Sequence, residues 1–65
     1  MEYNIRIKFD NNPNTELNYT KEYEKEYDLK RELADIGRNG FLQSIDNGFF
    51  YYPPNRIFSI TVEKN

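Results

Sequence analysis

The chain has no cysteine, no histidine and no tryptophan, only three glycines and three prolines, and no long apolar run. Each absence excludes something. Without cysteine there is neither a disulfide framework nor a thiolate metal site. Without histidine the commonest metal ligand and the commonest general base near neutral pH are missing, so no metal and no structural zinc are expected. No segment approaches the ~20 apolar residues needed to cross a bilayer. The opening MEYNIRIKFD lacks the basic start and apolar stretch of a signal peptide. A cytoplasmic protein that engages no membrane is the expectation.

Sixty-five residues make a single domain, 1–65, near the lower limit at which a core alone suffices. The net charge of −2 is unevenly spread. Residues 1–37 carry six Lys/Arg against nine acids, and residues 38–65 carry three against two. Neither part has the clustered positive field that draws nucleic acid backbones, which argues against a nucleic acid partner. A nucleic-acid accessory role is the least favoured alternative.

Tyr3, Ile5, Ile7 and Phe9 alternate with Asn4, Arg6 and Lys8, a period of two that predicts a half-buried strand. Asn11-Asn12-Pro13-Asn14 follows with turn-forming residues. Alternation resumes through Leu17 and Tyr19, so the chain is expected to return as a hairpin. Residues 21–38 are dominated by Lys, Glu, Leu, Arg and Ala, which favour a helix and are, where charged, depleted in strands. Thr20 is a suitable N-cap for that helix, and Arg38 with Gly40 suits its C-terminal end. Leu29, Leu33 and Ile36 mark its core side, broadened by Tyr23, Tyr27 and Ala34. Glu26/Lys30 and Arg31/Asp35 are spaced for helical ion pairs. Periodicity leaves a second reading open, because Tyr19, Tyr23 and Tyr27, four apart, also share one face of a strand. In that reading the second strand runs to about Tyr27 and a shorter helix is capped by Asp28.

Beyond Gly40, residues 41–45 read as a strand, Asp46-Asn47-Gly48 as a hairpin turn and residues 49–52 as the returning strand. Pro53-Pro54-Asn55-Arg56 ends it, since neither proline donates a ladder hydrogen bond. Residues 57–63 form the last strand, with Phe58, Ile60 and Val62 expected on the core face. The fold class is therefore α+β, in the order β-β-α-β-β-β. We expect an antiparallel sheet of four to five short strands with one helix packed on one face. Ile5, Ile7, Phe9, Leu29, Leu33, Ile36, Phe58, Ile60 and Val62 are the expected core.

Little in the chain carries chemistry. The glycines form no phosphate-cradling loop, and Ser44 and Ser59 have no histidine to act as base. Glu22, Glu24 and Glu26 read as a solvated surface. No catalytic residue, no cofactor and no small-molecule substrate are expected, and the protein is read as not an enzyme. The unusual feature is the run Phe49-Phe50-Tyr51-Tyr52. Strand side chains alternate, so one pair of rings must face away from the other. Phe49, Phe50, Tyr51 and Tyr52, with Arg56, are the candidate interaction surface. The outward pair is expected to contact another protein or a second copy of the chain in a homodimer, through an aromatic sheet face or a strand edge.

The Asn/Lys/Glu/Ile/Tyr-heavy usage, the GFLQSIDNGFFYY hairpin and the closing PPNRIFSITVEKN resemble small uncharacterised proteins of low-GC Gram-positive bacteria and their prophages. That resemblance implies an accessory or host-modulating binding protein. A phage- or mobile-element-type regulator that binds a host protein is accordingly the alternative to a self-associating module.

Overall fold

The computed structural model describes residues 1–10 and 15–65. The turn expected at Asn11-Asn12-Pro13-Asn14 lies outside the described residues. The elements are β1 (Glu2–Phe9), β2 (Glu16–Glu22), α1 (Glu26–Asn39), β3 (Phe41–Ile45), β4 (Gly48–Tyr52) and β5 (Ile57–Lys64). This is the α+β order β-β-α-β-β-β read from the sequence. The strands form a three-stranded antiparallel sheet ordered β2-β1-β5 and a two-stranded ribbon of β3 and β4.

β1 sits centrally because its alternation is the strongest in the chain. Tyr3, Ile5, Ile7 and Phe9 are all buried on one face. The opposite face is polar. There Thr20 Oγ1 donates to Asn4 Oδ1 at 2.9 Å, Asn4 Nδ2 to Asn65 Oδ1 at 2.7 Å and Arg6 Nε to Asn18 Oδ1 at 3.3 Å. An antiparallel sheet with one wet face and one packed face is the stable form of this pattern. α1 packs on this face through Leu29, buried, and Leu33, half-buried, while Ile36 is buried outside that cluster, toward the ribbon.

The helix expected over residues 21–38 begins only at Glu26, with Lys25 as N-cap. Thr20 does not cap it, because Thr20 lies in β2 opposite Asn4. Pairing with β1 continues to Glu2↔Glu22 and outweighs the poor strand propensity of the charged residues. Tyr23, one residue past β2, keeps the chain extended through its N–H bond to the Met1 carbonyl and is buried against Tyr3 at 6.1 Å between ring centroids. Tyr27, in the first helical turn, is exposed and takes no part in the core, and Ala34 is exposed too. Of the expected ion pairs, Lys30 Nζ stands 3.7 Å from Glu26 Oε2, while Asp35 Oδ1 accepts from Asn39 Nδ2 at 2.7 Å.

Phe58 does not join the core expected of it. It is exposed, whereas Ile57 is half-buried and packs on the core with Ile60 and Val62. The cause is a bulge. Lys8 pairs with Ser59 but Phe9 pairs with Ile57, so Phe58 is the extra residue and the alternation slips by one. The slip brings Ile57 inward and turns Phe58 to solvent.

Candidate interaction surface

The β3–β4 ribbon is held at its base by the end of the helix. Gly40 adopts φ 91°, and its N–H donates to the Ile36 carbonyl at 2.8 Å, closing α1. A Cβ at this position would overlap the Tyr52 carbonyl oxygen and lie 3.0 Å from Tyr51 Cε1. Glycine is required twice here, for its left-handed φ and for the close approach of β4. Tyr51 folds back over it and donates its hydroxyl to the Asn39 carbonyl at 2.8 Å, satisfying an acceptor that the helix end leaves open.

The ladder Phe41↔Tyr52, Leu42↔Tyr51, Gln43↔Phe50, Ser44↔Phe49 and Ile45↔Gly48 sorts the ribbon into two faces. The inner face is anchored to the core. Tyr52 stacks on Phe9 with centroids 3.9 Å apart and planes 16° apart, and Phe41 stacks on Tyr19 at 5.8 Å. Phe50 leans on Tyr52 at 4.7 Å but lies nearer the ribbon tip and remains exposed. The outer face consists of Leu42, Ser44, Phe49 and Tyr51, with no charge. Phe49 is 69 % exposed, Leu42 60 % and Tyr51 53 %.

The five residues singled out from the sequence are thus divided. Phe49 and Tyr51 are the outward pair. Tyr52 belongs to the core contact, and Phe50 shares with Tyr52 and Arg56 a cleft of about 300 Å³ floored by Phe9 and Asp10. Arg56 is engaged within the chain. Its Nε and Nη2 both lie 2.5 Å from the Asp10 carboxylate, and its carbonyl accepts from Asp10 N–H at 2.8 Å. The hydrogen bond from Arg56 holds the Asp10 carboxyl below its usual value, and the same bond raises the Arg56 guanidinium. Asp10 itself sits at φ 59°, a conformation that Asp tolerates better than most residues. This fork–fork pair fixes the start of β5 against the end of β1.

Leu42 is the outer-face residue that the sequence reading passed over. The signal was present, because a two-residue turn at Asp46-Asn47 pairs Ile45 with Gly48 and so Leu42 with Tyr51.

Beside the ribbon a groove of about 430 Å³ runs between β2 and α1, lined by Tyr19, Lys21, Glu32, Asp35, Phe41 and Leu42 among others. Lys21 Nζ lies 2.6 Å from Glu32 Oε1 and 5.3 Å over the Tyr23 ring, and the Tyr23 hydroxyl donates to Glu32 Oε2. Burial, helped by the hydrogen bond to Glu32, pushes the Tyr23 phenol well above its ordinary range. Burial and the Glu32 charge push Tyr19 up to about 12. The network ties α1 to β2.

Among the described residues no His/Cys/Asp/Glu cluster could hold a metal ion, and no helix is long and apolar enough to cross a membrane. No protein-family model, no curated protein and no solved structure matches the chain.

Proposed function

We propose that the protein is a non-catalytic interaction module that presents the outer face of its β3–β4 ribbon to a partner protein. The observation that carries this is the uncharged face of Leu42, Phe49 and Tyr51, each more than half exposed on a ribbon anchored by its other side. Water disfavours such a contiguous apolar face, and Phe and Tyr are favoured at interface centres. The non-catalytic part rests on residue types: with neither histidine nor cysteine, the chain lacks the usual bases and nucleophiles near neutral pH.

The partner is a different protein. Two copies of this face would remove on the order of 300 Å² from each chain, well short of the ~800 Å² per partner of a stable interface. The rest must come from the flanking groove, whose charged lining is Glu32 and Asp35 against Lys21 alone. A partner patch that is apolar at its centre and rimmed by Lys or Arg fits both parts. A cytoplasmic accessory protein, host-modulating as the resemblance implies, would act in this way.

The test is a photo-crosslinking residue placed at position 49 in cells, with position 20 on the polar sheet face as control. Position 49 should give an adduct that position 20 does not, with a protein bearing a Lys/Arg-rimmed apolar patch. That protein, purified, should bind the parent chain in a salt-sensitive manner, with Kd raised at least tenfold by Phe49→Ser. Equal adducts from both positions, or adducts of the chain with itself alone, would defeat the proposal.

A further inference from the structure

The three-stranded sheet ends in two unlike edges. β2 carries Glu16, Lys21 and Glu22 at its two ends, whereas β5 carries Glu63 and Lys64 at one end only and no charge from Ile57 to Val62. Among the described residues β5 pairs with β1 on one side and with no strand on the other. Charges on an edge strand discourage further pairing, and a long uncharged edge invites it.

The backbone bonds show which β5 groups face outward. Asn65 N–H donates to the Glu2 carbonyl at 2.9 Å, and the same register joins Asn4 with Glu63 and Arg6 with Thr61. On the other side of β1, Tyr23 N–H donates to the Met1 carbonyl and Phe9 N–H to the Thr15 carbonyl. Even residues of β1 therefore face β5 and odd ones face β2. Bonding direction alternates along an antiparallel strand. Thr61 and Glu63 thus turn their N–H and C=O groups toward β1, while Ile60, Val62 and Lys64 turn theirs away from the sheet.

We infer that β5 is a homodimerisation edge, pairing antiparallel with β5 of a second copy about a two-fold axis at Thr61. This register sets Ile60 opposite the partner's Val62 and Val62 opposite the partner's Ile60, so the outward-facing groups of both strands meet as hydrogen-bonded pairs. It also matches side chains: apolar Ile60 and Val62 face each other, Thr61 faces its own copy, and Ser59 faces Glu63. A threonine pair across strands is favourable. Ile60 and Val62 are only half-buried in the single chain, and pairing covers them. The bulge at Phe58 breaks the edge on its N-terminal side and so limits the ladder to the stretch around Thr61. The same operation on β2, about its middle residue Tyr19, sets Glu16 directly opposite Glu22 of the second copy and is disfavoured. Two copies joined at β5 make one continuous six-stranded sheet, an isologous interface. The inference is independent of the ribbon's partner.

Thr61 is exposed on the polar sheet face, so its substitution leaves the folded chain intact. Sedimentation equilibrium of the parent chain should show a monomer–dimer equilibrium. Thr61→Lys and Thr61→Glu should each raise the dimer dissociation constant at least tenfold, and an equimolar mixture of the two should restore dimer. Because the parent has no cysteine, Thr61→Cys should form a disulfide-linked dimer under mild oxidation, whereas Thr20→Cys on β2 should not. The paired threonines would be a non-hydrogen-bonded pair with Cα atoms ~4.5 Å apart, within disulfide range. A parent that stays monomeric at millimolar concentration overturns the inference. So does a dimer indifferent to charge at position 61, equal cross-linking at 20 and 61, or a dimer lost instead through Leu42→Ser with Phe49→Ser.

Discussion

The backbone of Gly40 runs directly beneath the carbonyl of Tyr52, leaving no room for a Cβ between the end of the helix and the returning strand of the ribbon. The contact holds the residue that enters β3 against the last residue of β4. Gly40→Ala imposes both a backbone conformation (φ 91°, ψ −173°) that essentially only glycine adopts, costing ~1–3 kcal/mol, and an overlap that only movement of β4 relieves. We expect a loss of at least ~2 kcal/mol in all, seen as a melting temperature lower by roughly 10 °C or more for a domain of this size.

Burial grades the core substitutions. Ile7 is fully buried at the centre of β1, and Ile7→Ala should cost ~2–5 kcal/mol, a large share of the stability of so small a domain. Leu33 is only half-buried on α1, so Leu33→Ala should cost roughly half as much. Urea titrations that rank the two in the opposite order would show that the helix packs more tightly on the sheet than described.

The outer face of the ribbon separates contact from support. Leu42→Ser with Phe49→Ser removes exposed apolar surface and should leave the melting temperature within a few degrees of the parent. Tyr51→Phe keeps the ring but loses the bond to the Asn39 carbonyl, which should cost ~0.5–1.5 kcal/mol. Thermal melts of the two variants check the division, since only the second touches an intramolecular bond.

Alkaline pH should unfold the protein through the buried Tyr23 and the half-buried Tyr19. Tyr19 and Tyr23 both have folded pKa values raised above the unfolded value of ~10. The stability they contribute is complete below pH ~10 and falls as pH rises toward the folded values, about 12 for Tyr19. Melting temperature should therefore decline over that window. Tyr23→Phe should lower stability at pH 7 by ~1.5 kcal/mol through loss of the bond to Glu32. Its decline above pH 10 should be shallower, because one of the two phenols no longer titrates. A variant that tracks the parent in parallel across that range would contradict the assignment.

The period-two pattern of Tyr3, Ile5, Ile7 and Phe9, the turn at Asp46-Asn47-Gly48 and the stop at Gly40 determined a strand, a hairpin and a helix end from local residues alone. These are short-range properties: alternation follows from backbone pleating, and a two-residue turn dictates the pairing beside it. That register sets Phe49, Tyr51 and Leu42 on one face. Which face turns outward was decided by tertiary structure, through the stacking of Tyr52 on Phe9 and of Phe41 on Tyr19, and so were three further features. The boundary between β2 and α1 depends on how far β1 offers pairing, and there the ladder outweighed the helical propensity of KEYEKEYD. The exposure of Phe58 depends on a bulge set by pairing between opposite ends of the chain, which no local period encodes. The capture of Arg56 by Asp10 has the same origin. Where a residue's neighbours lie close in sequence its place could be read directly; where they come from a distant strand, only the folded chain brings them together.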